Sequence, residues 1–352
     1  IAQWEAEHRA IREGVGLMDM SFMAKFRVTG SGAGELLDQL SAGAVNGESG
    51  VITYTQWLND DGRIEADLTV TKLGDDDFFV VASDTAHGHV LARLRRYAGA
   101  GLSIEDVTAE FAQLNVQGPG SRDVLVELTD ADLSTEVFPF RSAGWVDLAG
   151  VRVLLARITY LGELGYELYV PAGDALKVYD AAQSAGAEHG LVPTGLKALA
   201  SLRMEKAYRD YGHDIDNTDC PMEAGLGFAL ALDKPGGFIG RDAVLARKQA
   251  NAEAGGMARR IVQVRVLDPT PLLYHAEIVL RDGVPVGYVR AASYGWTLGS
   301  AVGLAMVEGG GGPVTPDWLA AGTWEVDIAG ARYPAEVSLR PMYDPTSARV
   351  RA

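Results

Sequence analysis

The chain has 352 residues, 47 % hydrophobic and 22 % charged, the mixture of a globular protein long enough for two or three domains. Its 47 acidic and 31 basic residues leave a formal charge of −16, which argues against a broad grip on a nucleic-acid backbone, since that needs clustered lysine and arginine. One cysteine, Cys220, excludes an intrachain disulfide and a cysteine-built zinc cage, and no apolar run approaches the roughly 20 residues of a membrane span.

No basic-then-apolar leader opens the chain, so the expected compartment is the cytoplasm. The first residue is Ile1 and not methionine, which fits a processed chain or a piece of a longer one. Residues 5–14 are rich in helix formers and end on Gly14, a helix with its stop signal. Residues 25–29 (KFRVT) form a strand pattern, followed by a glycine-rich turn at 30–34 and a helical ELLDQL. A dinucleotide loop would need its third glycine at position 35, which is Glu35, so a strand-to-helix turn is expected there.

Residues 59–70 (NDDGRIEADLTV) carry the clearest local signal. Asp61-Gly62 is a hairpin pair suited to a type I′ turn, whose central residues need positive φ. Ile64, Ala66, Leu68 and Val70 then alternate with Glu65, Asp67, Thr69 and Thr71, a strand with one apolar and one polar face. Strand interiors are poor in aspartate. Asp67 lies mid-strand on the polar face, and alternation alone leaves two readings open: a solvated surface or the wall of a cavity. The run Asp75-Asp76-Asp77 reads as a solvated hairpin tip without calcium-loop spacing. His87 and His89 start a helix at a spacing that turns the rings apart, so no metal site is expected from them.

Residues 151–169 form two strands around a loop that contains Gly162 and Gly165. Tyr160 ends the first strand and Glu167 lies on the second. A carboxylate can accept two parallel N–H bonds from an amidine or 2-aminopyrimidinone edge, and a tyrosine beside it supplies stacking area. A surface hairpin with an exposed glutamate is the alternative. Residues 193–210 form a buried helix pattern with Thr194 as N-cap. His213, Asp214 and Asp216 crowd one loop without defining a metal geometry. Residues 251–257 (NAEAGGM) read as a linker, and the short strand patterns beyond it as a small antiparallel barrel or sandwich.

Taken together, several long stretches resemble the aminomethyltransferase family, the T-proteins of glycine cleavage, and most nearly the folate-binding C-terminal half of dimethylglycine and sarcosine dehydrogenases and oxidases. The carriers are residues 7–30, 59–70, ITYLGELGYELYV (158–170), SLRMEKAYRDYGHDID (201–216), 221–243 and the ending PMYDPTSARVR (341–351). The resemblance implies an α+β fold of three domains around a central folate channel: residues 1–50 with 140–250 as a discontinuous first domain, 51–139 as an inserted second domain carrying Asp67, and 258–352 as a C-terminal antiparallel β-barrel. It implies tetrahydrofolate as the bound cofactor. The family's strand aspartate, beside the folate nitrogen that takes up the one-carbon unit, falls on Asp67. The tyrosine and final glutamate of the YxGExGxE hairpin, which hold the pterin, fall on Tyr160 and Glu167. Met23, in DMSFM, falls where a side chain packs on folate, and Thr69 stands beside Asp67 on its face.

One departure concerns specificity. Where T-proteins carry an Arg-Asp pair ahead of SLRLE, this chain has Leu199 and Ala200, with Lys197 and Arg203 as the nearby cations. That change, with KAYRDYG and YDP, turns the resemblance towards methylated-amine oxidation. The expected activity is capture of a methylene iminium or formaldehyde unit, derived from a dimethylglycine- or sarcosine-like amine, as 5,10-methylenetetrahydrofolate. The alternatives are a glycine-cleavage aminomethyltransferase, a folate-dependent O- or S-demethylase, and a non-catalytic folate-binding module. FAD is expected only from an upstream domain or a partner dehydrogenase subunit.

Overall fold

A computed structural model describes all of residues 1–352. Its first ten strands and one two-residue strand are β1 (Gly16–Asp19), β2 (Ala24–Thr29), β3 (Ile52–Leu58), β4 (Ile64–Gly74), β5 (Asp77–Ala82), β6 (Ser103–Asp106), β7 (Phe111–Gln117), β8 (Ala143–Leu148), β9 (Val151–Ala156), β10 (Gly165–Pro171) and β11 (Val192–Pro193). They build two sheets: six strands in the order β11-β1-β7-β10-β9-β8, and five in the order β3-β4-β5-β2-β6. Helices α1 (Ala2–Glu13), α2 (Ala33–Leu40) and α3 (His87–Tyr97) precede or interrupt the smaller sheet. The chain divides into two compact units. The first comprises Ile1–Gln56, Ala66–Ala198 and Thr346–Ala352; the second comprises Trp57–Glu65 and Leu199–Pro345.

In the first unit, alternation gives each sheet two different faces. Leu114 and Val116 of β7, Tyr166, Leu168 and Val170 of β10 and Val153 and Leu155 of β9 form one apolar core with Val178 and Ala182 of the helix Ala175–Gly186. The smaller sheet turns Phe26 of β2 towards α3, where its ring meets His87 edge-on at 5.3 Å. The remaining face of each sheet packs on the other. Ile52, Phe79 and Val81 of the smaller sheet and Leu154, Ala156 and Tyr169 of the larger one form a single buried cluster, with Met23 and Ile158 against it. Phe79 meets Tyr169 edge-on at 5.0 Å.

The Asp61-Gly62 hairpin departs from the expected two-residue turn. Asn59 N–H bonds to Arg63 O, and Gly62 has φ of 72° while Asp61 does not enter the left-handed region. This is a three-residue loop closed by a glycine bulge, held by Asn59 Oδ1, which accepts from the N–H of both Asp61 and Arg63. The second Asp-Gly pair adopts the type I′ form, with Asp282 at φ 53° and Gly283 at φ 77°.

In the second unit, β12 (Arg259–Val266), β13 (Ile278–Arg281), β14 (Val284–Gly295), β15 (Ser300–Glu308), β16 (Trp324–Ile328) and β17 (Ala331–Ser338) close into a six-stranded antiparallel barrel. Pairing of β12 with both β15 and β17 leaves no free edge. Two expectations outside the barrel change. Residues 251–253 complete the helix Arg241–Glu253, because alanines and charged helix formers run through Glu253 and Gly255-Gly256 stop it only afterwards. Thr194 gives its hydroxyl to Leu17 O at 3.3 Å and does not cap the helix Leu196–Glu205.

The loop carrying His213, Asp214 and Asp216 is tied by arginines. Asp214 is buried and bonded to Arg203 at 2.7 Å. Asp219 binds Arg290, and Arg259 bridges Asp219 and Glu223. Asp216 accepts from the hydroxyl and N–H of Thr218. Arg203 also donates to Tyr208 O at 3.1 Å, so its charge is committed within this loop.

Candidate active site

The two facing sheets of the first unit place polar side chains where an ordinary sandwich would be apolar. On β7, Gln113, Asn115 and Gln117 share a face, and all three are buried. Register sets Asn115 opposite Glu167 and Gln113 opposite Tyr169 on β10. This face is the one whose Leu154, Ala156 and Tyr169 pack on the smaller sheet. Across the gap, Asp67 and Thr69 of β4 share the face of Val81, since Thr69 stands opposite Val81 in the β4–β5 register. Asp67, Thr69 and Glu167 therefore look into the same inter-sheet space, each half-buried. The Asp67 and Thr69 side of β4 is turned towards the larger sheet.

Each carboxylate is held by neighbours. Gln56 Nε2 donates to Asp67 Oδ1 at 2.8 Å. Tyr169 donates its hydroxyl to Glu167 Oε2 at 2.5 Å, and Asn115 Nδ2 approaches Glu167 Oε1 at 3.5 Å. Burial pushes the Glu167 carboxyl up to about 7, against the opposing pull of those two bonds and of the Lys25 charge. Tyr169 is raised well above the usual phenol range, by burial first and then by its acidic partner. The amide oxygens of Gln56 and Gln113 are buried without a protein partner. Buried polar atoms of this kind call for a ligand or solvent.

Met23 lies in the crossover from β1 to β2 and packs on the apolar end of the space. Tyr160 lies in the 157–164 connection, half-buried, two residues after Ile158 of the same cluster. That connection is fixed by the motif's other glutamate. Glu163 is 1 % exposed and paired to Arg12 at 3.0 Å and to Arg349 at 2.6 Å, while Arg12 also donates to Leu161 O at 2.7 Å. Within one hairpin motif, Glu163 is structural and Glu167 faces the cavity. Lys25, Gln56, Gln113, Asn115 and Tyr169 are additional site-facing residues. The signal for two of them, Gln113 and Asn115, is the strand FAQLNVQ, whose polar positions are amides where a solvated strand would carry charges.

Two facing sheets that each carry a carboxylate make up the first unit, and a closed barrel belongs to the second. Residues 1–234 match the GCVT N-terminal domain, and residues 259–344 match the glycine cleavage T-protein C-terminal barrel domain. The chain belongs to the glycine cleavage T-protein, or aminomethyltransferase, family. It is 41 % identical over 346 residues to 4-methylaminobutanoate oxidase (formaldehyde-forming) of Paenarthrobacter nicotinovorans, which covers 98 % of this chain and 40 % of that protein. It is 35 % identical to mitochondrial sarcosine dehydrogenase of Mus musculus, over 99 % of this chain and 39 % of the relative. The aminomethyltransferase of Geobacillus thermodenitrificans is also 35 % identical, with 96 % and 89 % covered. The chain thus spans about two fifths of the two longer relatives. In fold it matches the crystal structure of the glycine cleavage system aminomethyltransferase T of Bartonella henselae, with a TM-score of 0.82 over 97 % of this chain and 90 % of that one, at 24 % identity. No helix is long and apolar enough to cross a membrane.

Proposed function

We propose that the chain is a tetrahydrofolate-dependent one-carbon transferase that captures a formaldehyde-level unit from an oxidised methylated amine of the sarcosine or dimethylglycine type. The observation that supports the proposal is the placement of two differently held carboxylates, Asp67 and Glu167, on the facing sides of two packed sheets. The residues fit a pterin: Glu167 and the unpartnered Gln113 oxygen accept N–H bonds, and Met23, Tyr160 and Ile158 offer packing area. Tetrahydrofolate, when bound, supplies the nitrogen nucleophiles that take the one-carbon unit to 5,10-methylenetetrahydrofolate.

In this reading Glu167 orients the pterin edge, and Tyr169 and Asn115 hold Glu167 in place. Asp67, oriented by Gln56, stabilises positive charge developing near the reacting nitrogen and relays a proton there. Thr69 lines the wall beside it. Holding the nitrogens close to the incoming carbon contributes several kcal/mol on the usual scale of proximity effects. FAD belongs to a separate domain or dehydrogenase subunit that oxidises the amine. The three-domain division at residues 1–50 with 140–250, 51–139 and 258–352 is part of the same proposal.

Asp67→Asn is expected to slow methylenetetrahydrofolate formation by about 10²- to 10⁴-fold at saturating folate, with affinity for tetrahydrofolate little changed. An unchanged rate would overturn the assignment. A second reading, aminomethyl transfer from a lipoyl carrier, is favoured by the 89 % coverage of the Geobacillus aminomethyltransferase. Ammonia release from an aminomethylated lipoyl carrier, with no product from an oxidised methylamine, would select it.

A further inference from the structure

Lys25 is a lysine with no solvent contact, on the cavity-facing side of β2, opposite Val81. Its ammonium donates to Ser21 O at 2.9 Å and to Met23 O at 2.8 Å. Both acceptors lie in the short crossover between the two sheets. The same crossover is tied to the larger sheet: Ser21 Oγ accepts from Gln113 N at 3.1 Å, and Met20 N bonds to Gln113 O at 2.8 Å. Gln113 Nε2 contacts Asn115 Oδ1 at 3.3 Å, and Asn115 reaches Glu167. One chain of contacts therefore runs from the ammonium to the glutamate.

A buried cation held by neutral carbonyls still needs an opposite charge across a short distance. The charges that act on Lys25 are Glu167 from β10, Asp19 from the end of β1 and Asp106 from β6. Asp19 is engaged by Ser21, through both its N–H and its hydroxyl, and Asp106 by His87 at 2.6 Å and by Thr108 N–H. Glu167 contributes most of the three.

We propose that Lys25 is a positioning residue for the ligand site: its ammonium locks the Met23 crossover and serves as the counter-charge of Glu167, the carboxylate that would hold the pterin. This rests on the folate reading of the cavity for its ligand, but the Lys25–Glu167 coupling does not. Burial lowers Lys25 to about 8 and raises Glu167 to about 7, and the charge of each opposes the shift of the other.

The test uses Lys25→Met, which keeps length and removes charge. In the ligand-free chain, the Glu167 carboxyl is followed by ¹³C NMR from pH 5 to 9, with Glu167→Gln identifying the signal. The expected result is a higher Glu167 midpoint in Lys25→Met than in the wild type. Tetrahydrofolate titrated calorimetrically into the same variant is expected to bind about 10-fold more weakly at pH 7 and to recover towards wild-type affinity at pH 9. An unmoved Glu167 midpoint overturns the proposal, including the case of an affinity loss equal at all pH values, which marks a purely structural lysine. If Lys25→Met does not fold, Glu167→Gln read at the Lys25 ammonium decides: a lowered lysine midpoint supports the coupling, and an unchanged one refutes it. Failure of the wild type to bind tetrahydrofolate would refute the folate reading and leave the midpoint comparison standing.

Discussion

Glu167 shows how one buried carboxyl couples binding to pH. Its folded-state value near 7 lies above the 4.5 of a free glutamate. The linked contribution to stability is therefore complete below about pH 4.5 and is lost as pH rises through about 7. Binding has the opposite sign, because accepting two N–H bonds requires the ionised form. Tetrahydrofolate affinity is expected to fall about tenfold per unit as pH drops below about 7. Glu167→Gln should flatten that profile and weaken binding by about 10- to 100-fold near neutrality. Calorimetric titration between pH 6 and 8 checks both, and a pH-independent wild type would remove Glu167 from the ligand.

At the scale of elements, the cavity depends on how closely β7 and β10 approach. Gly165 stands opposite Gln117, and a Cβ there would lie 1.9 Å from the Gln117 amide oxygen. Gln117 is fully buried and its amide nitrogen is engaged with Ile158 O and Tyr166 O, so its side chain gives way only by loosening those bonds. Gly165→Ala is expected to destabilise the chain by about 1–3 kcal/mol in urea denaturation, and an unchanged midpoint would show the strand pair to be more yielding than its packing indicates. Strands were the most legible elements, because alternation in ADLTV and the barrel segments survives folding intact. Turn detail was less legible. The two Asp-Gly pairs have identical chemistry but fold into different loops, since Asn59 captures two backbone donors only in the first.

At the scale of the whole molecule, 31 basic residues face 47 acidic ones. Such an excess works against compaction, and salt screens it. The melting temperature is expected to rise by about 2 °C or more between roughly 0.01 and 0.3 M sodium chloride, and a fall would mean that specific ion pairs outweigh the net repulsion. The fold class was readable from motif order, whereas the site was readable only in part. Asp67 and Glu167 stand out as carboxylates in strands, but alternation could not say which face of β4 meets a second sheet. Lys25, Asn115 and Gln113 escaped notice because a lysine or an amide in a strand has no local mark of burial. Glu163 and Glu167 share a motif, and only the distant Arg12 and Arg349 separate their roles.

The order of strands also carries a consequence for biosynthesis. All five strands of the smaller sheet lie between Ala24 and Asp106, but β1 of the larger sheet pairs with β11, so Gly16 must wait for Val192. As the nascent chain emerges, the wall bearing Asp67 can close early, and the wall bearing Glu167 is completed only when much later residues arrive. During that interval the inner face of the smaller sheet, with Phe79 and Val81, is the apolar surface that a growing chain has to keep from pairing with the wrong neighbour.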